Sequence, residues 1–327
     1  MNEKAISVFE QYEVEPRLIF KQRGNYGCKT ETGRYLLMEY DFSEEKLNTL
    51  FQVQEYLEQR GIKTEKIVPN REGHFISVGA DGFGYAMKKI YPIEECDIQN
   101  REQIMAATIT LGKIHKLGKS TEGVFGENVR IYEGKNLFHA FRKHNKELIH
   151  IRNYITRRKN KNFLERDMLN MLDEYYRQGQ DTLLLLEQST YTKLHREACE
   201  RKQLIHGNYN QHALGFDNQT PVLVNMTRLF YGPPINDVYS FTRKVLEKNN
   251  WEIKLGHEII EWYESILPLT KEEKVILKNL LSYPEKFWKI VNYYYNSNKA
   301  WYSEKNEEKL RAFQNQEEKR WNFINSL

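Results

Sequence analysis

LIHGNYNQHALGFDNQTPVLVN, residues Leu204 to Asn225, is where the chain's polar chemistry and its local structure are read together. The apolar pair Leu204-Ile205 runs into a polar loop, His206-Gly207-Asn208, that follows a helical segment. Beyond Ala213, the run Asp217-Asn218-Gln219-Thr220-Pro221 has the Asp, Asn and Pro content of a tight reversal, so the flanking apolar residues form a short hairpin. Its second strand, Val222-Leu223-Val224, is apolar and ends at Asn225. Loops held between rigid elements are where binding and catalytic side chains concentrate, and this loop presents amides and imidazoles but no carboxylate.

Composition bounds what the rest can be. A chain of 327 residues suits two lobes better than one small core, and 40% apolar residues suffice to bury both. The 49 basic and 45 acidic residues leave a formal charge of +4, which gives no general drive toward nucleic acid. Only Arg157-Arg158-Lys159-Asn160-Lys161 is a local basic cluster, read as the solvated end of a helix. No apolar run approaches the roughly 18 residues that span a bilayer, and MNEKAISVFEQYEVEPR lacks the basic start and apolar middle of a signal peptide. The expectation is a cytoplasmically made protein without a membrane span. Cys28, Cys96 and Cys199 are far apart and match no C-x-x-C spacing, which suits structural thiols in a reducing compartment. The 21 tyrosines supply amphipathic contact area for core or interface.

The first ninety residues read as strand, helix, strand, strand. Tyr35 to Tyr40 follows the turn Thr32-Gly33, His74 to Val78 follows Glu72-Gly73, and Phe83 to Ile90 ends at Pro92. Between the first two, Ser43 caps a helix whose Leu47, Leu50, Val53, Tyr56 and Leu57 recur at helical spacing until Gly61. Lys21 to Thr30, with Gly24 and Gly27 but no G-x-G-x-x-G, reads as a loop. From Ile98 the pattern turns helical: one helix through Ile104 to His115, a stripe from Leu137 to Ile155, and Phe163 to Leu186 with Gly179 as an interruption. Helices around 236–249, 256–266, 271–280 and 304–324 follow the hairpin, and the lobes join near Tyr91 to Glu95. Gly112 to Ser120 has five residues between its glycines where a P-loop needs four, and it continues a helix, so it is no phosphate loop. His115 is then a packed helix residue.

The frame of residues 204–225 resembles the catalytic loop and metal strand of phosphotransferases of the aminoglycoside and choline kinase type. That pattern is H-G-D-x-x-x-x-N, a hairpin, and an apolar strand ending in Asp. The resemblance implies a base, two Mg²⁺ ligands and a nucleotide-binding lysine. At those positions this chain has Asn208, Ala213, Asn225 and Met38, and neither Lys29 nor Arg34 takes the place of the lysine. His206 is given a structural role in the loop. Asp237 falls where the class places an acidic residue that braces the loop, and it also suits its own helix N-terminus. The spare carboxylate Asp217 sits in the hairpin turn and is expected to point away from the cleft.

Four segments carry a narrower resemblance: Leu57 to Ile62, Leu111 to Lys116, the HGNYNQH loop with NDVYSFTRKVLEKNNW, and Tyr283 to Ser297. They are similar to the CotS-like spore coat proteins of endospore-forming bacteria. The resemblance implies an α+β, two-lobed, protein-kinase-like (aminoglycoside phosphotransferase-like) fold, with a small sheet-containing N-lobe over 1–92 and a larger, mainly helical C-lobe over 93–327. It also implies manufacture in the mother-cell cytoplasm, deposition on the spore coat, and other coat proteins as partners. With the charged positions replaced, the expectation is a pseudokinase scaffold needing no cofactor. The alternative is a working small-molecule or protein kinase with displaced catalytic groups, which would require ATP and Mg²⁺. The tail from Trp301 to Leu327, with Phe313, Trp321 and Phe323, either contacts partners or packs on its own lobe.

Overall fold

The computed structural model describes residues 7–22, 24–40, 43–296 and 304–327. Its first half is an antiparallel sheet with one long helix. The strands are β1 (Leu18–Gln22), β2 (Asn25–Lys29), β3 (Arg34–Glu39), β4 (Lys63–Thr64), β5 (Lys66–Val68), β6 (Ser77–Val78) and β7 (Gly84–Ile90). All but β4 form one sheet, ordered β1-β2-β3-β7-β5 with β6 also on β7. Helix α1 (Glu44–Glu58) starts as its sequence directs: the Ser43 side chain accepts the Lys46 N–H, and Glu44 and Glu45 occupy the first turn. It buries Leu47, Leu50, Val53 and Leu57 and ends before Gly61, whose φ of +81° favours glycine.

Two expectations for this half are corrected. Lys21 to Thr30 is a hairpin rather than a loop, reversing at Gly24 (φ +86°). Gly27 belongs there because the Phe20 ring lies 2.4 Å from where its Cβ would be. The strand expected over His74 to Val78 shrinks to β6, because its donors are satisfied elsewhere. The Glu44 carboxylate accepts the Phe75 and Ile76 N–H groups at 2.5 and 3.0 Å, and Asn70 Oδ1 accepts those of Glu72 and His74.

After the short strand β8 (Glu94–Glu95) come α2 (Arg101–Leu117), β9 (Tyr132–Glu133), α3 (Leu137–Arg157) and α4 (Phe163–Gln188). Helix α4 runs unbroken through Gly179. A Cβ there would lie 2.1 Å from Asn145 Oδ1, so this glycine lets α3 approach instead of ending the helix. Helix α5 (Tyr191–Glu200) was not foreseen; its Thr190 N-cap makes no side-chain bond that would announce it. Then follow β10 (Leu204–Ile205), a 3₁₀ turn (Gln211–Ala213), β11 (Leu214–Asp217), β12 (Thr220–Leu223) and β13 (Phe230–Tyr231). The remaining helices are α6 (Ile235–Lys248), α7 (Ile253–Glu264), α8 (Lys271–Ser282), α9 (Glu285–Asn296), α10 (Glu304–Gln314) and α11 (Glu317–Ser326). The single helix expected over 304–324 is thus two, broken at residues 315–316. Trp301 and Ser297 lie outside the described residues. Phe313 and Phe323 are buried and Trp321 is packed against the main core, so the described tail sits on its own lobe.

A second, small sheet bridges the halves. β4 pairs in parallel with β12, placing Lys63 opposite Val222 and Thr64 opposite Leu223, and β11 pairs with β8. Lys63 also ion-pairs with Asp217 at 2.5 Å, which is where the hairpin carboxylate goes. The main core runs from α1 and Ala86 of β7 through α2, the hairpin and α6 to α8. A separate cluster joins α3, α4, α9 and α10, and a third covers the outer face of the sheet with Val8, Phe9 and Tyr12. The three cysteines are free and buried. In the basic cluster, Arg158 pairs with Glu165, and the Lys161 ammonium donates to the Thr156 and Arg158 carbonyls.

Candidate functional site

The loop after β10 is held from beneath by one carboxylate. Asp237, in the first turn of α6 and 2% exposed, accepts the backbone N–H of His206 at 2.8 Å and of Gly207 at 3.0 Å. His115 of α2 reaches the same group through Nε2 at 3.3 Å, and its Nδ1 lies 2.9 Å from the Tyr263 hydroxyl of α7. With Nε2 donating to the carboxylate, Nδ1 accepts from Tyr263. Burial would push the Asp237 carboxyl up, but the His115 hydrogen bond, the charges of His115 and His206, and the Gly207 N–H hold it below the usual carboxylate value. Gly207 has φ +73°, and a Cβ would fall 2.4 Å from the Arg228 carbonyl oxygen, so only glycine completes this turn. His206 is buried, and its Nδ1 accepts the Asn208 N–H at 3.3 Å. Burial lowers its pKa against the opposing pull of the Asp237 charge.

Asn208 and Asn225, separated in sequence, line one cavity of about 410 Å³ with Gln211, His212, Lys244 and Lys248. Both amides turn their oxygens toward donors of the chain. Asn210 Oδ1 accepts the His212 N–H, so its Nδ2 faces Asn208 and donates to the Asn208 Oδ1 at 3.3 Å. Asn225 Oδ1 accepts from the Thr227 hydroxyl at 3.0 Å and lies 3.5 Å from the Thr227 N–H. Ala213 is buried at the end of the 3₁₀ turn, where its carbonyl accepts the Val224 N–H at 3.0 Å; its methyl offers no ligand atom. Among the described residues no three His, Cys, Asp or Glu side chains cluster to hold a metal. Mg²⁺ is held mainly by charged oxygens; of the carboxylates described near the loop, Asp237 is engaged with its backbone, Glu95 with His212, and Glu247 with Arg243 and Lys286. The donor set therefore does not fit Mg²⁺.

Met38 pairs with Ala86 across β3 and β7, and Leu36 pairs with Lys88, so these four share a face of the sheet. Lys88 is the cation that sequence reasoning passed over. Its ammonium lies 2.5 Å from the buried Glu65 carboxylate, whose pKa burial raises and Lys88 lowers, with burial prevailing. In sequence it stands beside Lys89, and nothing local sets one lysine apart from the other. On the same face Phe20 covers Gly27, and in the linker Ile93 packs to within 2.3 Å of where a Gly215 Cβ would be. Both glycines are thus covered by the chain's own side chains. A larger cavity of about 510 Å³ lies on the other side of the loop, between Leu47 and Leu50 of α1, Met226 and Phe230, and Asp237.

Comparison with known proteins agrees with this architecture. The chain is similar to an aminoglycoside phosphotransferase from Alicyclobacillus acidocaldarius, at a TM-score of 0.85 and 17% identity over 98% of this chain and 94% of that one. It is similar to a spectinomycin phosphotransferase in its AMP-bound complex, at a TM-score of 0.64 and 13% identity over 98% of each. The amicoumacin kinase hAmiN gives a TM-score of 0.62 and 14% identity over 98% of this chain and 94% of that one. At such identities the likeness establishes the fold: two-lobed, kinase-like, with an N-terminal antiparallel sheet and a mainly helical remainder. In sequence, the chain is 21% identical to spore coat protein S of Bacillus subtilis (strain 168) over 301 residues, 91% of this chain and 85% of that protein. The family described as spore coat putative kinase YutH matches residues 5–327, and the chain belongs to that family.

Proposed function

We propose that this protein is a spore coat component that keeps a kinase fold as a scaffold and does not transfer phosphate efficiently. One observation carries the reading: Asp237, the carboxylate beneath the loop, is turned inward to hold backbone N–H groups, while Asn208, Ala213 and Asn225 present no anionic oxygen. Loss of a general base alone costs roughly 10²–10⁴ in rate, and loss of the metal ligands removes the charge that neutralises a transferring phosphoryl group. Ile93 over Gly215 fills space at the linker with the chain's own side chain, as Phe20 does over Gly27 in the sheet. Family membership supports the coat as destination and other coat proteins as partners; assembly there follows synthesis in the mother-cell cytoplasm. Among the described residues no helix is long and apolar enough to cross a membrane.

A second reading, an active kinase with displaced groups, draws on Lys88. It lies on the same sheet face as Met38, one residue pair along, and already pairs with an acid. The two readings separate in a thermal melt with and without millimolar ATP and Mg²⁺. Occupancy at a hundred times the dissociation constant stabilises by about 2.7 kcal/mol, a rise of several degrees. The scaffold reading expects no magnesium-dependent rise; a rise that Lys88→Met abolishes, together with phosphate transfer to any acceptor, would establish the enzyme.

A further inference from the structure

The 410 Å³ cavity beside the loop has a polarity opposite to that of a metal and base site. Lys244 and Lys248 of α6 are four residues apart and so stand on one helix face, where like charges repel each other. Lys244 is half-buried and makes no ion pair or hydrogen bond among the described residues. Burial, then Arg243 and Lys289, lowers its pKa to about 8 against the attraction of Glu285 and Asp237, neither of which pairs with it directly. Glu247, the acid on the same rim, is already committed: Arg243 pairs with it closely and Lys286 lies 3.2 Å away. The amide oxygens of Asn208 and Asn225 face Asn210 and Thr227, which turns both NH₂ groups to the cavity. Two ammonium groups and two amide donors therefore line it together. A carboxylate would neutralise one charge, whereas a phosphate dianion matches both and offers three oxygens to the four donors.

We propose that this cavity is a metal-independent oxyanion site that takes a phosphate group, free or as a monoester, on Lys244, Lys248 and the NH₂ groups of Asn208 and Asn225. All four residues belong to the loop, the end of the hairpin and α6, so the site is built without the N-terminal sheet. It repels polycationic small molecules from the same position. It also stands apart from the question of phosphoryl transfer, since it needs neither nucleotide nor Mg²⁺.

The test is titration calorimetry and thermal melting of the full chain in EDTA, with inorganic phosphate and with phosphoserine, each against chloride at equal ionic strength. Saturable binding of phosphate above the chloride control is expected, and Lys244→Gln is expected to weaken it at least tenfold, the loss of one charge-assisted contact. Tighter binding of phosphoserine than of phosphate assigns the site to a phosphorylated side chain; equal binding assigns it to the free ion. No binding beyond chloride, or unchanged affinity in a folded Lys244→Gln protein, overturns the proposal. Should that variant misfold, Asn225→Asp serves instead. It keeps an oxygen for Thr227 and puts a carboxylate into the cavity, so undiminished phosphate affinity there refutes the site equally. EDTA excludes any contribution from Mg²⁺·ATP, so this result and the nucleotide melt fail independently.

Discussion

Replacing Asp237 with Asn removes one negative charge at the point where the loop, α2 and α6 meet. The wild-type carboxylate accepts N–H groups from His206 and Gly207 and a third bond from His115. An amide has one accepting oxygen, and its NH₂ would confront donors in a site only 2% exposed. Hydrogen bonds to charged groups contribute about 1.5–3 kcal/mol each, and breaking a buried charged partnership costs about 3–5 kcal/mol. At roughly 2 °C per kcal/mol for a chain this long, the melting temperature falls by about 6–10 °C. Circular dichroism reads the melt, and hydrogen exchange locates the loss, which belongs at the His206 and Gly207 amides before the rest of the lobe. A cycle with His115→Phe should show coupling of about 1–3 kcal/mol, because both side chains serve one network. A melt within about 2 °C of the parent, or exchange unchanged at these two amides, would refute the view that this carboxylate holds the loop.

Two further outcomes follow from packing and charge. Gly179→Ala places a methyl 2.1 Å from Asn145 Oδ1 between α3 and α4 and is expected to cost about 1–3 kcal/mol by overpacking, despite alanine's better helix propensity; a denaturant titration decides the sign. Glu285 is buried, which alone would raise its pKa, but Arg243 and Lys289 bring it down from 4.5 to about 2. A depressed acid contributes stability above its unfolded value and loses it as pH falls through the folded one. Roughly 3 kcal/mol should therefore disappear between about pH 4.5 and pH 2. Glu285→Gln should be less stable at pH 7 and lose less over that window, as measured by urea midpoints.

Legibility in the sequence followed the kind of signal each element carries. Helix α1 was bounded correctly because Ser43 and Gly61 are local devices whose effect does not depend on the rest of the chain. The β1–β2 hairpin was taken for a loop because it lacks strict alternation: its inner face has a glycine where Phe20 folds across, and a missing side chain leaves no hydrophobic mark. β6 came out short because Glu44, thirty residues away in sequence, took the donors that a ladder would have used. At the site, Asn208, Ala213, Asn225 and Met38 were visible by their place in a frame, since absence of a charge needs no geometry to notice. Lys244 and Lys88 were not visible. Each is an ordinary lysine in a helix or strand until folding sets it against two amides or opposite Glu65.

The parallel pairing of β4 with β12 bears on mechanics. A two-lobed body joined only by its linker would rock about Tyr91 to Glu95, but here the β4–β12 ladder crosses the boundary, β8 of the linker pairs with β11, and the Lys63–Asp217 pair clamps the same edge. The Glu65 N–H donates to the Leu223 carbonyl at 2.8 Å, extending the seam by one more bond. Opening the lobes would have to break that seam as well as bend the linker. On the proposed scaffold reading, the seam is the route by which force on one lobe would reach the other.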